Sequence, residues 1–221
     1  MPLAASSSDQ DAWFNAEFMQ GTKPALGLSD QDYQDAATQL DVNVAAIRAV
    51  AEVETMGNAF DAAARPTILF ERHHFHRHTG GKHDATHPSI SSELAGGYGK
   101  FNAQYDKLRQ AYALDPEAAL KSASWGRFQI MGSNHAACGF DSVRSFVLAM
   151  SRSEAAHLSA FVSFVASHKL RLEALRDQDW ASFAKLYNGA GYAKRGYHTK
   201  MQHAFEAIVA AQAPAAAGGV G

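Results

Sequence analysis

Cysteine is nearly absent from this chain. Cys138 stands alone, so no disulfide can close within it, which fits synthesis in a reducing cytoplasm. Long apolar runs are missing too. None reaches the roughly 18 residues that would cross a bilayer, so stable membrane insertion is not expected. The opening MPLAASSSDQD has neither the basic region nor the apolar core of a secretory signal. Neither sign of charge is in excess: 20 Lys and Arg against 22 Asp and Glu leave −2. That balance provides no electrostatic footprint for DNA, RNA or anionic lipid. Only 6 prolines occur, which speaks against disorder outside the ends. What is present is a 221-residue chain, 47% hydrophobic, with material for one substantial core or two small ones.

Most of that material carries a helical period. LSDQDYQDAATQL begins at Ser29, a cap with Asp32 three residues on, in a weak capping box. Asn43 caps the next helix, which carries Glu54 and runs to about Gly57. From Asp61 to Phe101 the period fades and TGGK, THPS and GGYG mark turns, so a loop-rich stretch with a short hairpin is expected. Helices resume with AQYDKLRQAYAL and with DPEAALKSAS, where Asp115 caps and Pro116 takes the first turn. Four more follow: DSVRSFVLAM, RSEAAHLSAFVSFVAS, DWASFAKLY and YHTKMQHAFEAIV. The fold class expected is mainly α, with a small irregular lobe. Residues 1–27, with Trp13, Phe14, Phe18 and Met19, read as a short extension or docking helix, and 211–221 as a disordered tail.

One position breaks the pattern. Ile47, Val50 and Ala51 fall at i, i+3 and i+4 of an apolar stripe, and the next place on it, i+7, is Glu54. Desolvation disfavours the charged form of a carboxyl so placed and raises its pKa, leaving a proton to donate near neutral pH. That is the general acid a glycosidic bond requires. The competing reading is a buried Glu satisfied by an Arg or by backbone amides. Two further segments set polar groups beside aromatic rings where helices end: SASWGRFQIMG, residues 122–132, and YNGAGY, residues 187–192. Such surfaces line sugar-binding clefts.

Together the three segments resemble the lysozyme superfamily, as in goose-type lysozymes and soluble lytic transglycosylases. There a catalytic Glu near a helix end is followed by a Gly-x-x-Gln type segment and a Tyr-Asn-x-Gly type segment. The matches here are Glu54-Thr55, then Gly126 to Met131 with Gln129, then Tyr187-Asn188-Gly189. AEVETMGNAF, PTILFERHHFHRHTG, SASWGRFQIMG and FAKLYNGAGY are similar, in the same order, to the phage-type N-acetylmuramidase family. That family is found in endolysins of phages infecting Gram-negative bacteria and in some secreted effectors. The likeness runs from roughly Leu28 to Val209, with one departure: the family reads Glu-Ser where this chain has Glu54-Thr55. Both residues supply a hydroxyl.

The resemblance implies a lysozyme-like α+β arrangement, with a helical bundle and a small loop or β-hairpin lobe flanking a cleft. It implies a catalytic domain over 28–210 acting on peptidoglycan glycan strands, without cofactor, as a monomer. The chain would be made in the bacterial cytoplasm without a signal peptide and act in the periplasm, released by a phage holin or exported by a secretion apparatus. Glu54 would protonate the β-1,4 glycosidic oxygen between N-acetylmuramic acid and N-acetylglucosamine. Glu71 is the first candidate for a second catalytic group, the alternative being an ion pair with Arg65, Arg72 or Arg127. Some members of the superfamily have no second carboxylate. Gln129 and Asn188 could hydrogen-bond N-acetyl groups or hydroxyls. Trp125 and Tyr187 offer rings for sugar stacking or sit in the core, and Ser124 supports the cleft wall or caps a turn. Gly126 and Gly189 permit close backbone approach to the saccharide or simply end helices.

Six histidines, His73, His74, His76, His78, His83 and His87, crowd into fifteen residues. His74 and His78 have the i, i+4 spacing that suits zinc, but no Cys and no His-Glu-x-x-His pattern accompany them, so no metal is assigned. The other reading is an exposed, mobile polar loop near the cleft with His73 touching substrate. Three rivals to hydrolysis remain. LSDQDYQDAATQLDVNVAAIRAVAEVE scans as helix-turn-helix, yet its second helix sets Arg48 against Glu52 and Glu54, the wrong sign for phosphates. A lytic transglycosylase would use the substrate's own hydroxyl and leave a 1,6-anhydro end. A binding-only relative would have replaced Glu54 with something cheaper to bury.

Overall fold

The computed structural model describes residues 12, 14, 15, 24–54 and 58–212. Trp13, Phe18, Met19, Thr55, Gly57 and the tail beyond 212 lie outside them, so neither the expected docking helix nor the turn after Glu54 is seen. Phe14 is buried and stacks on Tyr112 at 4.4 Å. The chain divides into two compact units. One joins Ser29–Glu54 to Val165–Gly221, and the other joins Met1–Leu28 to Thr55–Phe164.

In the first unit, α1 (Asp30–Leu40) starts where expected. The Ser29 hydroxyl accepts from Asp32 N–H while the Asp32 carboxylate accepts from Ser29 N–H, a reciprocal capping box. Asp41, at φ +54, ends it. Asn43 Oδ1 accepts from Ala45 N–H at 2.8 Å and opens α2 (Val44–Glu54). The alanines Ala45, Ala46, Ala49 and Ala51 are buried with Ile47 and Val50, so α2 offers its partners a face of short side chains. Three more helices complete the unit, α8 (Lys169–Arg176), α9 (Trp180–Asn188) and α11 (Tyr197–Gln212), with the short α10 (Tyr192–Arg195) between the last two. α11 packs on α2 and α9, burying Met201 and Ala204. Arg48 is bound to Asp30 at 2.5 Å and lies over the Tyr33 ring.

The second unit is built on a three-stranded antiparallel sheet, β1 (Ile68–Phe70), β2 (Ala123–Trp125) and β3 (Ile130–Met131). Ile68 faces Trp125 in register, and Trp125 faces Ile130. The hairpin therefore lies between 123 and 131, not within the 61–101 stretch where turn residues had pointed to one. That stretch instead holds β1 and an unexpected helix, α3 (Arg72–Thr79). Its period was invisible because Phe75 is its one buried residue, set against Phe70. α4 (Gln104–Leu114), α5 (Pro116–Lys121), α6 (Val143–Met150) and α7 (Glu154–Ala166) fall where the pattern put them. The Asp115 side chain accepts from Ala118 N–H with Pro116 in the first turn, as read from the sequence.

The turn of the hairpin is locked from beneath. Gly126 has φ +68, and the ring of His157 stands where a side chain would go. That ring stacks on Phe60 at 5.0 Å, its Nε2–H donates to the Met150 carbonyl, and its Nδ1 accepts from Arg127 N–H. Burial holds His157 at a pKa of about 4, so the ring is neutral and can play both roles. Arg127 is further held by Glu154. A Cβ at Gly126 would lie 2.6 Å from His157 Cε1. Gly126→Ala is thus expected to destabilise the fold by roughly 3 kcal/mol, from the left-handed backbone and the overpacked ring together. Denaturant unfolding checks this, and a loss below ~1 kcal/mol would mean the ring yields.

Candidate active site

Glu54 closes α2 and is 4% exposed. The stripe that buries Ile47, Val50 and Ala51 carries it inward, since i+7 on a helix returns to the same face. Its partner is no arginine. Oε1 accepts a hydrogen bond from Asn188 Nδ2 at 2.7 Å. Burial drives the Glu54 pKa up to about 7, while the Asn188 hydrogen bond and the positive charge of Lys200 work in the opposite direction. The group therefore carries its proton for a large share of the time at neutral pH, as the sequence reading required. Asn188 is the last residue of α9, and Gly189, at φ +78, ends the helix directly after it. Its Oδ1 is buried with no hydrogen-bond partner among the described residues. Tyr187 is half-buried and stacks on Phe183 at 5.3 Å, between core and surface.

Glu71 follows β1 and occupies the cap position of α3 without capping it. Its carboxylate accepts from the Tyr98 hydroxyl at 3.3 Å and stands 3.6 Å from His73 Nδ1. Of the arginines named as partners for it, Arg65 pairs with Asp61, Arg127 with Glu154, and Arg72 donates to the carbonyls of Leu94 and Pro88. His73 packs against His74, ring centroids 4.5 Å apart. His74 is lowered to about 4, first by burial and then by the charges of Arg77, His73 and His78. Of the remaining histidines, His76 and His78 lie on α3 rather than in a loop. His76 Nδ1 pairs with Asp84 at 2.7 Å, Asp84 accepts from Ser91 Oγ, and His83 stacks on Phe75.

Three hairpin residues read as substrate contacts are committed to the fold. Trp125 is 1% exposed and donates its indole N–H to the Leu120 carbonyl, so it has no open face for a sugar. Ser124 is buried and donates to Gln129 Oε1 at 2.8 Å. Gln129 Nε2 donates to the carbonyls of Thr67 and Gly126. Oxygen and nitrogen of the Gln129 amide are thus both in use, and with φ +47 the residue braces a strained turn. Gln in this motif ties β3 to the strand entry at Thr67. Next to that entry is a cavity of about 420 Å³, lined by Phe60, Asp61, Arg65, Thr67, Phe101 and Tyr105 among others. Arg65 lies over the Tyr105 ring there, and Phe101 is half exposed.

Sequence reasoning missed Tyr98, Lys200 and His157. Tyr98 sits in the GGYG turn cluster, where an aromatic carries no period. Lys200 lies on the polar side of α11, and only the packing of α11 on α2 brings its charge to bear on Glu54. His157 sits among the apolar residues of α7, and its place at i−1 and i−4 to Leu158 and Phe161 was the available signal.

The N-acetylmuramidase family model matches residues 43–209. The crystal structure of the Burkholderia AP3 phage endolysin matches with a TM-score of 0.77 and 41% sequence identity, over 91% of this chain and 77% of that chain. No curated protein matches. The mainly helical architecture with a small antiparallel sheet is that of a lysozyme-like endolysin, as the sequence led one to expect.

Glu54→Gln keeps the shape of the site and removes the charge. The folded protein holds the Glu54 proton up to about 7, whereas the unfolded chain releases it near 4.5. The stability that this raised pKa contributes is complete below 4.5 and is lost as pH rises through 7, a swing of up to about 3 kcal/mol. The variant escapes that loss. Its Tm is expected to match the parent's near pH 4 and to exceed it near pH 8. Parallel melts with no pH-dependent difference would show that the carboxyl is not buried.

Proposed function

We propose that this chain, which belongs to the N-acetylmuramidase family, hydrolyses the β-1,4 bond between N-acetylmuramic acid and N-acetylglucosamine with Glu54 as its general acid. Family membership makes it a glycoside hydrolase of peptidoglycan. The observation that carries the assignment of the acid is the buried Glu54 carboxyl, raised to about 7 and held by Asn188 at 2.7 Å. A protonated carboxylic acid in a poorly solvated place can transfer its proton to a departing glycosidic oxygen while positive charge grows on the sugar ring. The Asn188 carboxamide suits both halves of that cycle. Its Nδ2 donates to the carboxylate that remains, and with the amide turned over, Oδ1 accepts the O–H of the acid.

Glu71 is the second group in this reading, stabilising the oxocarbenium-like charge or activating water. His73, 3.6 Å away, orients it and contacts substrate. Tyr187 contributes the exposed part of its ring to saccharide binding, beside Asn188. Ser124 and Gln129 act by shaping the hairpin on which β1 and Glu71 depend. Residues 28–210 serve as the catalytic domain of a monomer. The likeness to a phage endolysin supports a role in host lysis, with an antibacterial secreted effector as the alternative. Among the described residues no helix is long and apolar enough to cross a membrane, and the protein acts on peptidoglycan in the periplasm after release.

Digestion of Gram-negative sacculi followed by mass spectrometry tests the reaction. Reducing muramic ends are expected, and fragments lighter by one water would make the protein a lytic transglycosylase instead. Glu54→Gln should lose roughly a hundred- to ten-thousandfold in turnover with the fold intact. For Glu71→Gln a drop of less than about tenfold, ~1.4 kcal/mol in barrier, would demote Glu71 to scaffolding.

The pH profile tests the role of Asn188 separately. Because the acid must be protonated, kcat/KM should fall as pH rises through about 7. The Asn188 hydrogen bond holds the Glu54 pKa down, so Asn188→Ala should move that alkaline limb to higher pH. A limb that stays in place or moves down would contradict the assignment.

A further inference from the structure

Glu71, His73 and His74 bring one carboxylate oxygen and two imidazole nitrogens within 4.8 Å of one another. We infer that these three side chains form a binding site for a divalent transition-metal ion of the zinc type. A consequence, which rests on the role proposed for Glu71, is that loading the site withdraws this carboxylate from the reaction and inhibits the enzyme.

The chemistry of the donor set points this way. Two imidazoles and one carboxylate are the ligands borderline-soft cations choose, and they leave one position of a tetrahedron open. Zinc–ligand bonds of about 2.0–2.1 Å place donor atoms roughly 3.3 Å apart around the ion. Glu71 Oε2 and His73 Nδ1 already stand at 3.6 Å. The full triad needs side-chain rotations amounting to no more than about 1.5 Å, well within rotamer freedom.

Local structure keeps the donors together. Glu71 sits at the start of α3 but makes no capping hydrogen bond, so its carboxylate is turned toward the histidines rather than to the helix end. It also accepts from the Tyr98 hydroxyl, the outer hydrogen bond that commonly orients a ligating carboxylate. The Glu71 and His73 side chains are 19% and 18% exposed, open enough for an ion to enter and closed enough to limit competition from water. The two guanidiniums of α3 are bonded to backbone carbonyls. Arg72 Nε and Nη1 reach the Leu94 and Pro88 carbonyls, and Arg77 Nε reaches the His73 carbonyl.

This is a different site from the His74 and His78 pair that helical spacing singles out. Those two rings are 6.4 Å apart and His78 lies outside the cluster. The two alternatives separate by mutation.

Calorimetric titration of the untagged full-length protein with zinc chloride, after chelator treatment, tests the site. One ion per chain is expected. His74→Ala should weaken binding by roughly tenfold or more, the loss of a direct ligand being at least that of an outer partner. His78→Ala should leave binding unchanged. Absence of saturable binding, or equal weakening in the two variants, would overturn the site. Muropeptide release with increasing zinc reads the consequence. Half-inhibition should shift in His74→Ala by the same factor as the affinity, with metal-free turnover unaltered. Should zinc bind as described while turnover stays intact, the inhibition and the catalytic role of Glu71 both fall, and the metal site stands.

Discussion

The acid catalysis argued for this protein depends on burial of one carboxyl group. A helix that otherwise presents alanines, Ile47 and Val50 to its neighbours ends by presenting Glu54 on the same face. Water is excluded from that face because α11 packs on it. With solvation lost, the charged form is the unfavourable one, and the proton stays on at a pH where an exposed Glu would have released it. Asn188 satisfies the group by hydrogen bond without a full opposing charge. An arginine in the same place would have held the carboxylate ionised and ended its use as an acid.

That arrangement carries a cost in stability which the surrounding structure offsets. The first two helices of this unit are capped by side chains, through the box at Ser29 and the Asn43 side chain, and α2 packs through small residues. The other unit solves a different problem, holding a strained hairpin in one conformation. Gly126 and Gln129 both have positive φ. The turn persists because His157 fills the space below Gly126 and the Gln129 amide bonds to two carbonyls above. Motif residues that look like substrate contacts are here the braces of the turn. Their polar groups satisfy one another and the backbone carbonyls of the turn.

Legibility followed periodicity. Helices with two or more apolar residues per turn, such as α7 and α9, were evident from spacing, and so were caps, which depend on neighbours two or three residues away. α3 was not, because a helix that buries Phe75 alone among histidines and arginines has no stripe. α8 and α10 were also unmarked. α8 is amphipathic over only eight residues, and α10 is a single turn. The hairpin escaped because strands of two and three residues are too short to alternate. In the site, Glu54 and Asn188 were found from the sequence, and the structure joins them. Trp125 was left between a sugar platform and the core, and the structure places it in the core, a choice that an aromatic between Ser124 and Gly126 does not reveal by its position alone.

By itself the sequence determined that Glu54 lies on an apolar face, that Asn188 ends a helix, and that the ordered motifs are those of the N-acetylmuramidase family. These are local or order-dependent facts, written in spacings of three, four and seven residues. Tertiary structure alone decided that Asn188 meets Glu54 across 134 positions, that Lys200 biases its titration, and that Glu71 shares its surroundings with His73, His74 and Tyr98. The reason is physical. A pKa and a hydrogen bond depend on distance and solvent exclusion, and distances between remote residues come into being only when helices pack.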